Sequence, residues 1–393
     1  MIRRALLLAA ALLGASALAQ DASAPVGADM APAAGTPATR DASFGLAALG
    51  REDRIQQIAG APCTLADGEA AALIAERAED ARVVIVNEDH ASPRDRALVE
   101  DVAIRLKALG FTTFASDTIA APLFRDEPAF GALERRLQAL GYATTAISDA
   151  GAFPPGRHFT DEANARTTAL TSSLINQTLR DQPDTRVLVH VGHGHSRETP
   201  ERVDGHDLRW LALQLKEITG IDPLTIDQTQ RVGDRTGVCV SNSDGSALPT
   251  DRDIYIAHPP LAFERERPTW RLARGQRFAD IPRALKNADE RMIYEARYAN
   301  EPDDAVPADR LLVDPGENIP LLLAPGRYRV RAWTEAGVWT ASVPLTVADP
   351  TVHALQKAQP KARPHSSRRK NDEPRSRTAR AARSTGAGAR ADA

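Results

Sequence analysis

From Arg82 onward the chain alternates short apolar runs with longer segments whose apolar residues recur three and four apart. That alternation narrows the fold sharply, because parallel strands need crossovers of about a dozen residues or more and helices usually supply them. Arg82–Asn87 (RVVIVN) is apolar without interruption from Val83 to Val86, as a strand covered on both faces must be. The next segment puts Leu98, Val102, Leu106 and Leu109 on one helical stripe and meets Gly110, a residue suited to ending a helix. Phe111–Ser116 (FTTFAS) reads as a second strand. A second stripe (Phe130, Leu133, Leu137, Leu140) closes at Gly141, and Tyr142–Ser148 is a weaker third strand. Leu170, Leu174 and Leu179 mark a third helix, and Arg186–Val191 (RVLVHV) a fourth strand. A last helix carries Leu208, Leu211, Leu215 and Ile218 up to Gly220. The expected fold class is α/β, a mostly parallel sheet with covering helices over 59–250.

Beyond residue 250 the pattern turns strand-rich. GRYRVRAWT and GVWTASVPLTV face each other across Glu335-Ala336, a short hairpin signal, and Arg291–Ala299 and Arg310–Val313 also read as strands. Asp253–Ala257 is placed with them, which gives a smaller β-rich, sandwich-like module over 251–349.

The two ends carry little that could enter a core. Met1–Ala19 (MIRRALLLAAALLGASALA) sets two arginines before a short apolar run that ends in the small-x-small pattern of a signal-peptide cleavage site. The expectation is export to the periplasm or outside the cell. No Cys follows the run, so lipoprotein processing is not indicated, and the run is too short for a stable membrane span. Residues 20–58, rich in Ala and Pro, read as a flexible leader, and 350–393 as a disordered basic tail. The net charge of −3 is therefore an average: residues 351–393 hold 11 Lys/Arg against 3 acids, so the body is acidic. Such a tail suits an anionic envelope polymer or membrane surface, and the lack of aromatics among its arginines argues against nucleic acid. An apolar fraction of 42% excludes a wholly disordered chain.

In an oxidising compartment Cys63 and Cys239 can pair and close a long loop, although two unpaired core residues fit the sequence equally well. They are too few for a zinc cage.

Several catalytic signatures are missing: there is no GxSxG elbow, no HExxH, no phosphate-binding Walker loop and no GxGxxG after a strand. Two motifs remain, in equivalent places. The first strand ends in Asn87-Glu88-Asp89-His90 and the fourth in Gly192-His193-Gly194-His195. Ligands of open α/β sheets sit at the carboxyl ends of strands, where both motifs fall. Histidine serves as a general base or a metal ligand near neutral pH, and a carboxylate beside it orients the ring. Glu88, His90 and His195 are thus the leading candidates for activating water or holding a metal, and Gly192 lets a ligand approach the backbone. His193 reads equally as site or surface, and His190, flanked by valines, as a satisfied core residue. Asp117 closes the second strand and can reach the same mouth or serve as a turn acid. Arg94 and Arg96 read as solvated residues at a helix start, and Arg166 as a partner for the site acids.

VVIVNEDHASPRDRALVEDVAIRLKALGFTTFASD, with NARTTALTSSLINQTL and RVLVHVGHGHSRE further on, resembles the erythromycin-esterase / ChaN / Tiki-TraB superfamily over about residues 80–225. That pattern is an apolar strand, Gly-Glu-x-His, a long helix and a second strand ending in an acid. Later an Arg-x-x-x-Met helix precedes a strand ending in Gly-x-x-His. Glu88 and His90 match the first motif, Gly192 and His195 the second, Arg166 the helical Arg, and Asp117 stands where many members carry Glu. Asn87 replaces the usual Gly and Leu170 the usual Met. The resemblance implies metal-dependent proteolysis, ester hydrolysis or haem binding. The expected function is an exported hydrolase acting on an ester or peptide carbonyl of a small molecule or peptide. A haem- or divalent-metal-binding envelope protein, with His193 and Gly192 at the cofactor, and a non-catalytic envelope scaffold are the alternatives.

Overall fold

In the computed structural model the described residues are 40–55, 61–62, 70–119, 121, 124, 126–149, 158–229, 235–240, 251–258, 260–334, 337–338, 340 and 342–349. The alternation read from the sequence folds as expected. In chain order the first part holds helix α1 (Arg40–Ala48), strand β1 (Ala61–Pro62), α2 (Ala70–Arg77), β2 (Val83–Glu88), α3 (Pro93–Ala108), β3 (Phe111–Ser116), α4 (Pro128–Leu140), β4 (Ala143–Ala146) and α5 (Phe159–Leu174). Then come β5 (Arg186–Gly192), the hairpin β6 (Glu201–Val203) and β7 (His206–Leu208), α6 (Leu211–Thr219), β8 (Leu224–Asp227), β9 (Arg235–Val240) and β10 (Ile254–Ala257).

One 8-stranded sheet runs β1-β9-β10-β8-β2-β5-β3-β4. From β10 to β4 every neighbouring pair is parallel, whereas β9 meets β10 antiparallel. The two faces of the sheet follow from the period of two along each strand. Val84, Val86, Phe114 and Leu188 face α2, α3 and α4, while Val83, Ile85, Val187 and Val189 face α5 and α6. The order places β5 between β2 and β3, so the chain ends of these three strands lie side by side. Gly141 and Gly220 end α4 and α6 in the left-handed conformation that favours glycine.

The second part holds β11 (Phe263–Glu264), β12 (Arg267–Pro268), α7 (Thr269–Ala273), β13 (Arg277–Ala279), β14 (Met292–Tyr298), β15 (Asp309–Val313), β16 (Leu321–Leu323), β17 (Gly326–Thr334) and β18 (Val343–Val347). A four-stranded antiparallel sheet, β15-β14-β17-β18, buries Tyr294, Leu311, Tyr328 and Val330 in a core of its own.

Two boundaries differ from the sequence reading. β10 belongs to the large sheet, because Ile254 and Ile256 pack with Val84 and Ile226. The β-rich module therefore begins after it. Residues 40–55 are not a flexible leader. Leu49 packs with Ile293, Leu312 and Trp333, and Arg51 reaches Glu317 (2.7 Å) and the carbonyl of Leu312 (3.1 Å). Phe44 of α1 meets Phe124 edge-to-face at 5.6 Å. A few apolar residues in an alanine-rich stretch suffice to bury a helix, and average composition hides them. Both parts lie in one compact unit reaching Ala348. Residues 1–19, read from the sequence as a signal peptide, the rest of the expected leader, Cys63 and the expected tail fall outside the described residues, as does the side chain of Cys239. Among the described residues no helix is long and apolar enough to cross a membrane.

Candidate active site

The apolar pattern of three adjacent strands turns polar at one level. On the α3/α4 face, Val84 and Val86 are followed by Glu88, Leu188 by His190, and Phe114 by Ser116. Pairing puts Val86 and Ser116 opposite His190, and Glu88 opposite Gly192. This row, wholly buried, meets the first turn of α3, from which Arg96 points inward.

Arg96 and two imidazoles surround the Glu88 carboxylate. Arg96 Nη2 donates to Oε1 at 3.0 Å and its Nε lies 2.9 Å from Oε2. His190 Nε2 lies 2.8 Å from Oε2, and His90 Nδ1 is 2.7 Å from Oε1. Burial alone would push the carboxyl up, but the charges of Arg96 and His190 outweigh it and hold Glu88 well below the usual range. Arg96 is itself flanked by Glu127 (3.5 Å), whose carboxylate caps α4 by accepting from the backbone N–H of Ala129 and Phe130. The Phe124 ring covers the guanidinium at 4.9 Å.

Because ionised Glu88 can only accept, the neutral His90 ring carries its proton on Nδ1 and its lone pair on Nε2. The ring is 39% exposed, edge-on to Phe124 (5.0 Å) and to His193 (5.9 Å). Gly192 passes directly beneath it: a Cβ there would lie 3.0 Å from both Cε1 and Nε2. Its missing side chain serves the approach of His90. The loop that carries His90 is tied to Asp95, which accepts from Asp89 N (2.9 Å) and Ser92 Oγ (2.6 Å). Burial pushes Asp95 up to about 8.

Asn87 has a structural task. Its Nδ2 donates to Asp227 Oδ1 (2.8 Å) and to the carbonyl of His193, and its Oδ1 accepts from Gln228 N (2.7 Å). One side chain thus joins β2 to the residues following β5 and β8.

Of the remaining sequence candidates, Asp117 reaches the site. Its Oδ2 accepts from Gly192 N at 3.3 Å, and burial raises its carboxyl despite His190 and His90 nearby. His195 lies on a turn following β5 and stands edge-on to Trp210 at 5.1 Å. Burial pushes it down to about 4, with Arg166, His90 and His193 adding to the effect, so it is neutral at pH 7. His193 adopts a left-handed backbone, φ 27°. Arg166 does not pair with Glu88. It sits within α5, more than half exposed, and binds Asp149 at 2.7 Å. Arg96, by contrast, is fully buried instead of solvated, and His190 belongs to the core and to the Glu88 cluster alike. Glu127 and Trp210 are the residues that sequence reasoning missed.

His90, Asp117, Arg166, His195 and Trp210 line one cavity of about 580 Å³. That is the range of small-molecule sites, ~300–1,000 Å³. The metal set of Glu88, His90 and His195 does not fit this geometry. Both oxygens of Glu88 are engaged by Arg96 and histidines, and no group of three or more His, Cys, Asp or Glu among the described residues is arranged to hold a metal ion. What the arrangement can do is general-base chemistry: an imidazole fixed by an ionised carboxylate, open to a cavity.

No family model and no curated protein matches the chain. Among solved structures it is similar to the type III effector HopBA1, at 15% identity, covering 52% of this chain and 98% of that one, with a TM-score of 0.33. It is also similar to RRSP, a MARTX toxin effector domain from Vibrio vulnificus CMCP6, at 13% identity over 49% of this chain and 40% of that one, TM-score 0.28. A further neighbour is Pasteurella multocida toxin, at 10% identity over 67% of this chain and 46% of that one, TM-score 0.27. Its C-terminal region is described as having a thiol-protease-like catalytic triad. Likeness at these scores carries no functional argument.

Proposed function

We propose that the chain is a hydrolase of the erythromycin-esterase / ChaN / Tiki kind, exported by its N-terminal segment and acting on an ester or amide carbonyl. The observation that carries this reading is the 2.7 Å contact of His90 Nδ1 with buried, ionised Glu88, which leaves Nε2 basic beside the cavity. His90 takes a proton from water as its oxygen attacks the carbonyl carbon. The tetrahedral intermediate then expels the alcohol or amine, which leaves with the proton held by His90. Glu88 orients the ring and stabilises its charged form, and Arg96 with His190 keeps Glu88 ionised. Asp117 and neutral His195 line the same cavity, available to the carbonyl oxygen or the leaving group.

The test is hydrolysis of p-nitrophenyl acetate by the purified protein and by His90→Ala and Glu88→Gln. The reading expects activity reduced about 100-fold or more in His90→Ala, the usual scale of general-base catalysis. Equal rates in wild type and His90→Ala, with folding shown by circular dichroism, would refute it.

A further inference from the structure

Part of the cavity wall takes no part in the chemistry just described. Phe124, Phe159, Leu170 and Trp210 all face it. Phe159, the first residue of α5, is 65% exposed and is the only aromatic ring among the exposed large apolar side chains of the described residues. Water against an aromatic ring at the mouth of a cavity is displaced favourably by an apolar ligand group.

One hairpin contacts both Trp210 and the residue that precedes Phe159. Trp210 Nε1 donates to Glu201 Oε2 of β6 at 2.8 Å. His206 of β7 stacks at 4.2 Å on His158, which caps α5 immediately before Phe159. Trp210 also stands at 85° to the His195 ring, and Gly194 yields the space it fills: a Cβ there would lie 2.5 Å from the indole. The hairpin thus holds the Trp210 indole and the residue preceding Phe159, and Trp210 in turn touches His195, an arrangement suited to a ligand with a defined apolar part.

The charges around the cavity do not favour an anion. Arg166 is paired with Asp149, and Glu162 adds a further carboxylate. His195 is neutral at pH 7.

We propose that the substrate is an uncharged ester or amide whose apolar acyl group packs against Phe159 and Trp210. This deepens the hydrolase reading and rests on it. Phe159→Ser is the decisive variant, since an exposed side chain can be replaced without opening the core. Two measurements separate the failures. The first is calorimetric titration with butyrophenone, a ketone that cannot be hydrolysed. Phe159→Ser is expected to weaken its binding about fivefold or more, the loss of roughly one buried apolar contact face. The second is the ratio of kcat/KM for p-nitrophenyl butyrate over acetate. It is expected to exceed one in wild type and to fall in Phe159→Ser through KM.

Unchanged butyrophenone binding and an unchanged ester ratio in Phe159→Ser would overturn the proposed substrate class even if the wild type is an esterase. Butyrophenone binding that depends on Phe159, with no turnover of either ester, would overturn the hydrolase reading and leave an apolar ligand site.

Discussion

The Arg96 guanidinium holds both oxygens of Glu88, Nη2 at 3.0 Å from Oε1 and Nε at 2.9 Å from Oε2, with neither side chain exposed to water. An ion pair this deep is stabilising only while it is complete, because either partner alone is a buried charge without compensation. Glu88 in turn contacts His90 Nδ1 at 2.7 Å, so in the proposed mechanism Arg96 acts on the base only through Glu88, as a positioning residue.

Arg96→Met is therefore expected to lower unfolding stability by about 3–5 kcal/mol, the cost of leaving one buried charge uncompensated. Arg96→Lys should lose less stability yet still impair activity, since one ammonium cannot take the place of two guanidinium nitrogens that each face a different carboxylate oxygen. Urea denaturation of the two variants checks the first statement. The pH profile of kcat/KM checks the second, with the base limb displaced in Arg96→Lys. A variant Arg96→Met as stable as wild type would refute the account.

Gly192 offers a test that leaves the ion pairs alone. Its backbone, at φ −75°, suits any residue, so Gly192→Ala introduces no strain of its own. The added methyl must instead push His90, whose ring atoms lie 3.0 Å from it. The expected result is a fold stability within about 1–2 kcal/mol of wild type, the usual scale of one inserted methyl. Activity should fall at least tenfold, because His90 no longer sits above residue 192. Activity equal to wild type would show that the ring has room to spare.

Two buried acids set a pH dependence of stability. Burial pushes Asp95 up to about 8 and Glu52 up to about 7, the latter despite Arg267 and Arg271 nearby. A carboxyl whose pKa is higher folded than unfolded contributes most below its unfolded value and loses that contribution as pH rises through the folded one. Stability should therefore decline from about pH 4 to pH 8 where these two groups dominate. Asp95→Asn and Glu52→Gln mimic the protonated forms and should each flatten the decline, measured as the thermal midpoint at pH 5 and pH 8. A midpoint difference between the two pH values that is unchanged in the double variant would contradict the assignment.

The strands and their order of chemistry were legible in the sequence because parallel strands covered on both faces are apolar throughout, and Glu88 and Gly192 interrupt them at matching ends. Arg96 was harder to see. A first-turn arginine is usually solvated, yet Arg96, Val99, Ala103 and Leu106 share one helical stripe, all fully buried. That spacing was the available signal. His190 follows Leu188 by two and so faces the same side as Glu88, which marks it as part of the cluster. No local pattern could place Phe44 against Phe124 or β10 in the large sheet, since both depend on contacts distant in sequence.

Asn87 gives the last prediction. In the superfamily that the sequence resembles glycine stands here, so in sequence Asn87 reads as a departure from that pattern. In the structure the amide instead ties Asp227, Gln228 N and the carbonyl of His193 together. Those groups are buried or part-buried, and each would lose one hydrogen bond in Asn87→Gly, although Asp227 Oδ1 keeps those from Thr229 N (2.8 Å) and Oγ1 (2.9 Å). The expected cost is about 1–3 kcal/mol for the hydrogen bonds lost, increased by the backbone freedom that glycine gains on unfolding. His193, held at φ 27° partly by that carbonyl contact, should relax, and the turn carrying His195 with it. Activity in Asn87→Gly is thus expected to fall along with stability, measured as kcat/KM at a temperature where the variant is fully folded. Undiminished activity and stability would instead return Asn87 to the status of a tolerated replacement and remove the link between β2 and the His195 turn.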